Sequence, residues 1–127
     1  MDIQTHHRID QELCGQPAEL QPGYCRVDFT AIDRMAADDK GLVHGGYVFG
    51  LADYAAMLAV NDPHVVLGAA DVKFLKPVAI NDQLTAEARV ESVSGKKHQV
   101  MVSVTRDTLT VMEGVFTCFV LDQHVLG

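Results

Sequence analysis

Asp53 is the one charged residue in an otherwise apolar stretch that runs from Tyr47 to Val60. Burying an unpaired carboxylate is costly, so such a group is usually paired with a cation, holds its proton more tightly, or lies in a functional cleft. If the stretch is helical, the residues one turn away, Phe49 and Met57, offer no positive charge. Asp53 is therefore a candidate catalytic acid or base, and an ion pair with a distant Arg or Lys is the structural alternative.

A second candidate group, His44-Gly45-Gly46, comes directly before this stretch. Two glycines at a helix start expose backbone N–H groups that suit an oxyanion or a polarised carbonyl, although a tight turn is the commoner use of such a pair. Gly45 and Asp53 are eight residues apart, about 12 Å along a helix axis. Both can act on one carbonyl only if a second copy supplies one of them, which predicts at least a homodimer.

The apolar stretch itself predicts the helix that positions both groups. It is rich in Ala, Leu and Met, which favour helix, and Pro63 disfavours helix at the residue before it. At about four turns the segment is too short to span a membrane. A helix that is apolar nearly all round is buried on most sides.

One segment before the apolar stretch and most of the second half of the chain predict strands. Segments that are alternating or wholly apolar cover residues 24–32, 64–78, 84–90, 100–105 and 110–122. Gly68 interrupts the second segment, and turn sequences lie at 94–97 and 106–108. The last segment is apolar on both faces, as expected of a central strand or of one covered by a partner. One buried helix and one large antiparallel sheet predict an α+β fold in which the sheet curls around the helix.

The N-terminal residues carry weaker signals. Residues 3–15 predict a short helix ended by Gly15, and residues 16–23 predict turns. We expect a single domain over residues 1–127, with residues 1–18 as an N-terminal extension.

Composition excludes several classes of function. The formal net charge of −7 and the lack of a basic block make nucleic acid a poor partner. The three cysteines have no metal or redox spacing, so we expect reduced thiols in a cytoplasmic protein and no metal site. The polar N-terminus is not a signal peptide, and no apolar run is long enough for a membrane span. No dinucleotide or P-loop fingerprint is present, so we expect no cofactor.

The sequence "HGGYVFGLADYAA" at residues 44–56 resembles the HGG-x-x-F-x-L-A-D-x-A motif of the hotdog-fold acyl-CoA thioesterases of the phenylacetyl-CoA type. The resemblance continues through "VKFLKPV" at residues 72–78 and covers most of the chain. It implies a hotdog fold, with a long central helix wrapped by a curved antiparallel sheet. It also implies a homodimer, or a tetramer built as a dimer of dimers, with sites across the dimer interface.

The resemblance assigns roles to the motif residues. A backbone N–H at Gly45 polarises the thioester carbonyl, and Asp53 of the other subunit activates water or attacks directly. His44 orients the substrate or simply ends the loop. Relatives often have Asn six residues before the motif His, where this chain has Asp38, a second carboxylate near the water. Relatives also often carry a hydroxyl on the next strand, whereas residues 67–69 here have none.

Hydrolysis of acyl-CoA to free acid and CoA is the function that this resemblance implies. A subgroup of hotdog domains binds acyl-CoA without catalysis, as sensors or accessory proteins of fatty-acid metabolism, and this chain resembles that subgroup as well. No helix-turn-helix segment precedes the motif, so we expect no direct binding to DNA. Retention of Asp53 favours the enzyme, and loss of the Asn and the hydroxyl favours the binding protein.

Residues outside the motif complete the predicted site. Positive charges at Lys73, Lys76 and Arg89 could bind the phosphates of CoA, or could be solvated strand residues. Further contacts to the substrate are predicted for three residues near the helix start or along it, although core packing is the default for the aromatic ones. These are Gly46, Phe49 and Tyr54.

Overall fold

The computed structural model describes all residues 1–127 and contains one six-stranded antiparallel sheet. In chain order the elements are helix α1 (Gln11–Cys14), strands β1 (Gln16–Gln21) and β2 (Tyr24–Thr30), a 3-10 turn (Asp33–Met35), helix α2 (Gly45–Val60), and strands β3 (Val65–Phe74), β4 (Gln83–Ser94), β5 (Lys97–Arg106) and β6 (Leu109–Val120). The sheet order is β1-β2-β4-β5-β6-β3, so β1 and β3 are its edges. Of the two alternatives for residues 110–122, the central strand is found, because β6 lies between β5 and β3.

Helix α2 forms the core together with the inner face of the sheet. Its Leu51, Ala55 and Leu58 are fully buried, as are the inward residues of β2, β4 and β5. The helix ends at Asn61, which adopts a left-handed conformation (φ 53°) and donates its N–H to the Met57 carbonyl at 2.8 Å. The predicted helix and the curled α+β sheet are confirmed, and the fold is the hotdog fold.

The turns between the last three strands lie where the sequence places them. Gly95 (φ +60°) turns the chain between β4 and β5, and Asp107 (φ 54°) turns it between β5 and β6. The predicted interruption of β3 is a bulge between Leu67 and Ala69. At Gly68 an added Cβ would collide with the ring of Phe119, which explains the glycine.

Two predictions for the N-terminus are wrong. The predicted helix over residues 3–15 shrinks to Gln11–Cys14, which Asp10 caps by accepting from the N–H groups of Glu12 and Leu13. The preceding residues are held by tertiary contacts instead, because the Asn61 side chain accepts from the Gln4 N–H and donates to the Asp2 carbonyl. Gly15 does end the helix.

Residues 16–23, predicted as turns, are mostly strand β1. Pro17 misled the prediction, because proline is tolerated on an edge strand, whose outer side needs no hydrogen-bond donor. The supposed extension over residues 1–18 therefore includes the first three residues of the sheet. The structure has no helix with the length and hydropathy needed to cross a bilayer.

Candidate functional site

Two backbone donors are free at the start of α2. Neither the Gly45 nor the Gly46 N–H donates a hydrogen bond within the chain, whereas the Tyr47 N–H donates to the His44 carbonyl at 3.0 Å. The entering loop is fixed, since the His44 N–H donates to the Met35 carbonyl at 3.0 Å. These unpaired donors lie at the positive end of the helix dipole and can stabilise a partial negative charge on an acceptor atom.

A small apolar cleft opens beside these donors. Its volume is about 160 Å³, and Gly45 and Phe74 line it. The Phe74 ring is 54% exposed, and its Cε1 atom lies 3.6 Å from the point where a Cβ on Gly45 would stand. The remaining lining residues are Leu42, Val43, Val48, Lys76, Pro77, Val78 and Val111. The cleft can hold an apolar group next to a polarised carbonyl.

The imidazole of His44 lies over the first turn of α2. A Cβ on Gly46 would stand 3.1 Å from the ring atoms Cδ2 and Nε2, so the glycine makes room for the ring. The ring also meets Tyr47 edge-on at a centroid distance of 6.2 Å. His44 is exposed and makes no side-chain cap, so the loop-ending alternative is not realised through its ring.

Asp53 lies two turns further along α2 and is half-buried. Its Oδ1 atom is buried and has no hydrogen-bond partner. Burial raises the pKa of this carboxyl to about 6. No cation pairs with it within the chain, so the ion-pair alternative is not realised there. An unpaired carboxylate with a pKa near neutrality is suited to proton transfer.

The charge of Asp53 affects the pKa of two nearby thiols. Burial raises the pKa of Cys118 to about 12, and the Asp53 carboxylate adds to that rise. Burial also raises the pKa of Cys14, with further contributions from Asp10 and Asp53. Sequence reasoning missed these neighbours because nothing in the spacing of residues 14, 53 and 118 indicates contact. Both thiols are protonated at neutral pH, so neither is an activated nucleophile.

Asp38 does not approach Asp53 within one chain. Its Oδ1 accepts from the N–H groups of Lys40 and Leu42, at 2.9 and 3.1 Å. Burial alone accounts for the raised pKa of Asp53. In this chain Asp38 therefore holds the loop that brings Leu42 to the cleft, and its place near a catalytic water stays a prediction about two copies.

The predicted aromatic contacts lie on the helix away from the cleft. Phe49 is half-buried and packs on Phe116, with ring centroids 5.4 Å apart. Tyr54 is 2% exposed, and its ring centroid lies 6.5 Å from that of His6 in the N-terminal segment. Within a single chain Tyr54 is a core residue and Phe49 packs against the core, and their contact with substrate stays a prediction.

The three predicted phosphate-binding cations are not brought together. Lys76 lines the apolar cleft. Lys73 is the residue before Phe74 on β3, opposite Glu113 of β6, and alternation along the strand puts it on the outer face of the sheet. The Arg89 guanidinium lies over the Tyr24 ring, 4.4 Å from its centroid, also on the outer face. Within one chain these cations do not share one place, and contact of some of them with CoA phosphates stays a prediction.

Sequence reasoning also missed Phe74 and Leu42 as cleft residues. Strand periodicity offered a partial signal, because it places Phe74 and the lysine before it on opposite faces of the strand. It does not show which face meets the helix start.

The largest cavity, about 820 Å³, lies between the N-terminal segment and residues 63–66. It does not include Gly45 or Asp53. No cluster of three or more His, Cys, Asp or Glu side chains is placed to hold a metal ion.

The sequence is similar to one protein family and to several known proteins. Residues 40–113 match the sequence model described as "Thioesterase superfamily". The chain is 51% identical over its full length to a protein of Aquifex aeolicus named methylthioribose-1-phosphate isomerase, but it spans only 28% of that protein. It is 27% identical to the transcription factor FapR of Caldanaerobacter subterraneus, covering 93% of this chain and 60% of FapR.

Solved structures share the fold over nearly the whole chain. The uncharacterized protein PH1136 from Pyrococcus horikoshii has a TM-score of 0.99 and 50% identity, and the match covers 100% of this chain and 98% of that one. The protein smu.793 from Streptococcus mutans, solved bound to acetyl CoA, has a TM-score of 0.81 over 94% of this chain and 98% of its own. Its identity of 24% makes that likeness one of fold alone.

Proposed function

The chain belongs to the thioesterase superfamily, and from that membership we propose that it hydrolyses an acyl-CoA thioester to the free acid and CoA. The observation that carries the proposal is Asp53, whose buried Oδ1 has no partner and whose pKa is raised to about 6. A carboxylate without a structural partner is costly to keep in a helix that otherwise forms the core. Catalysis gives it a role that packing does not.

The proposed site combines two copies of the chain. Along one helix Gly45 and Asp53 are about 12 Å apart, too far to act on the same carbonyl. In the dimer, the free Gly45 N–H of one copy donates to the thioester oxygen, and Asp53 of the other copy faces the carbonyl carbon. The apolar cleft beside Phe74 keeps water other than the reacting molecule away from the thioester.

The chemistry needs only water and the two groups. Ionised Asp53 removes a proton from water as the oxygen adds to the carbonyl carbon, and the Gly45 N–H stabilises the charge that develops on the carbonyl oxygen. The C–S bond then breaks, and the CoA thiolate takes up the proton. No cofactor enters this sequence.

Dimerisation is supported by the edge strand β3. Ala70 pairs in register with the buried Phe116 of β6 and so points to the inner face of the sheet, yet Ala70 is exposed. The inner face is therefore uncovered at this edge, where a second copy can cover it and place its Asp53 near Gly45. A pair of dimers forming a tetramer is compatible with the same site. The three free cysteines support a reducing, cytoplasmic location.

Substituting Asp53 by Asn tests the proposal, because it keeps the shape and removes the charge. Turnover of acyl-CoA should fall by about 10²-fold or more, while binding of acyl-CoA stays within a few-fold of the unsubstituted protein. Asp62→Asn is the matched control, since Asp62 is a carboxylate just beyond the helix that accepts from the His64 N–H. Full turnover in Asp53→Asn would exclude Asp53 as the catalytic base.

A non-catalytic acyl-CoA-binding protein is the second candidate, and the similarity to FapR, which is named as a transcription factor and not as an enzyme, favours a non-catalytic role. In that case the unsubstituted protein shows no turnover with any acyl-CoA. Asp53→Asn then changes only affinity or stability. Hydrolysis and calorimetric binding measured on the same preparations separate the two functions.

A further inference from the structure

A second cleft adjoins the apolar cleft at the start of α2. Its volume is about 560 Å³, within the range of small-molecule sites. Leu42, Pro77 and Val78 line both clefts, so the two are neighbours with a common apolar wall. The second cleft adds two cations to this wall, Lys40 and Arg106.

From these features we propose that the second cleft binds the 3′-phosphoadenosine diphosphate arm of CoA, with its phosphates at Lys40, Lys76 and Arg106. The inference rests on the proposed function, since it assigns the part of the substrate that extends away from the thioester. The pantetheine chain then lies along Leu42 and Pro77.

Two cations without an ion pair, Lys40 and Lys76, line these clefts. The chain has a net charge of −7, so a polyanion meets an unfavourable field over most of the surface. Several other cations are neutralised by neighbours, such as Arg34 by Glu12 and Lys96 by Asp122, both at 2.8 Å. The ammonium groups of Lys40 and Lys76 form neither an ion pair nor a hydrogen bond within the chain. They remain available to phosphate.

Arg106 is held in place with donors to spare. Its Nη1 donates to the Asp82 carboxylate and to the Pro77 carbonyl, both at 2.9 Å. Its Nη2 and Nε groups donate to nothing in the chain, and the side chain is 27% exposed. A guanidinium fixed along one edge loses little rotamer freedom when it binds an anion along the other.

The two carboxylates of the second cleft are already engaged. Asp82 accepts from Arg106 and from the Ala79 N–H, and Asp38 accepts from the N–H groups of Lys40 and Leu42. These bonds hold the negative charge against the cleft wall. Three cations, Lys40, Lys76 and Arg106, line the two clefts against these two carboxylates, which leaves a net positive charge of one.

The test compares the same acyl group on CoA and on pantetheine, which lacks the nucleotide phosphates. In the unsubstituted protein kcat/KM should favour CoA, and the double variant Lys40→Ala/Lys76→Ala should reduce that advantage by about tenfold or more, the effect of one charged hydrogen bond. The pantetheine thioester lacks those phosphates, so its kcat/KM should fall by much less than that of the CoA thioester. Arg106→Lys, which keeps the charge, should show a smaller loss than the double variant.

Lys97→Ala is the matched control, since Lys97 is an exposed lysine at the β4–β5 turn. An unchanged CoA advantage in the double variant, or a loss confined to Lys73→Ala and Arg89→Ala on the outer face, would overturn the assignment. If the unsubstituted protein hydrolyses neither thioester, the proposed function fails instead. The ratio of the Kd values for CoA and pantetheine then tests the same cleft without catalysis.

Discussion

The ring of Phe74 faces the first residue of α2, with its Cε1 atom 3.6 Å from the point where a Cβ on Gly45 would stand. That distance is an ordinary van der Waals contact, so packing within the chain does not require glycine at position 45. Gly45 also has a negative φ, since it is not among the positive-φ residues. Neither packing nor backbone conformation therefore explains the glycine, and a role in the proposed site is left to test.

Gly45→Ala should separate folding from function. We expect an unchanged or slightly raised Tm, because alanine is the better helix former. Turnover should fall by about tenfold or more, since the methyl group occupies the approach to one oxyanion donor, whose complete loss costs about 10²–10³ in rate. Thermal unfolding and acyl-CoA hydrolysis on one preparation check both. A variant as active as the unsubstituted protein would remove Gly45 from the site.

Phe74→Ala should weaken substrate binding with little effect on stability. The ring is 54% exposed, so truncation removes little buried surface. We expect KM to rise several-fold while kcat changes less, because the ring contacts the bound group and not the reacting atoms. Val93→Ala is the control, since Val93 is 58% exposed and lies at the far end of β4. Equal KM values for both variants would show that Phe74 does not contact substrate.

The main elements could be predicted from the sequence because their patterns are local. The apolar run before Pro63 specifies α2 without tertiary information. The alternation on either side of residues 94–97 and 106–108 specifies the two hairpins in the same way. The N-terminus could not be predicted in this way. Asn61 ties Asp2 and Gln4 to the end of α2 across nearly 60 residues of sequence, and that contact overrides the weak helical preference.

The candidate site was predictable only in part for the same reason. Asp53 stands out because a charge inside an apolar helix is visible in the sequence. Phe74 reaches the site through the geometry of β3, which places it beside Gly45. Lys40 reaches it through the geometry of its loop, which places it with Leu42. Charge alone could not show where Lys73 lies, because the alternation of β3 places it on the outer face, away from the cleft of its own chain.

Ala70→Asp should disrupt the dimer and abolish hydrolysis together. Ala70 is exposed on the inner face of the edge strand, so a charge there opposes the approach of a second apolar surface without entering the core of the chain. We expect a folded monomer by light scattering and circular dichroism, with turnover below detection. Asp71→Ala, on the opposite face of the same strand, is the control. Full activity in a monomer would contradict a site shared between two copies.

Asp53→Asn should stabilise the protein at neutral pH while it inactivates it. The pKa of Asp53 is about 6 in the folded chain and near 3.9 when unfolded, so the folded state binds more protons between these values. Stability due to this group is therefore highest below pH 4 and declines as pH rises to about 6, by at most about 3 kcal/mol. Asn carries no charge and avoids that decline. Urea unfolding at pH 4 and at pH 8 measures the difference in free energy of unfolding between Asp53→Asn and the unsubstituted protein. This difference should shift in favour of Asp53→Asn by about 1–3 kcal/mol between pH 4 and pH 8. Parallel pH profiles for the two proteins would show that the carboxylate is not desolvated in the assembled protein.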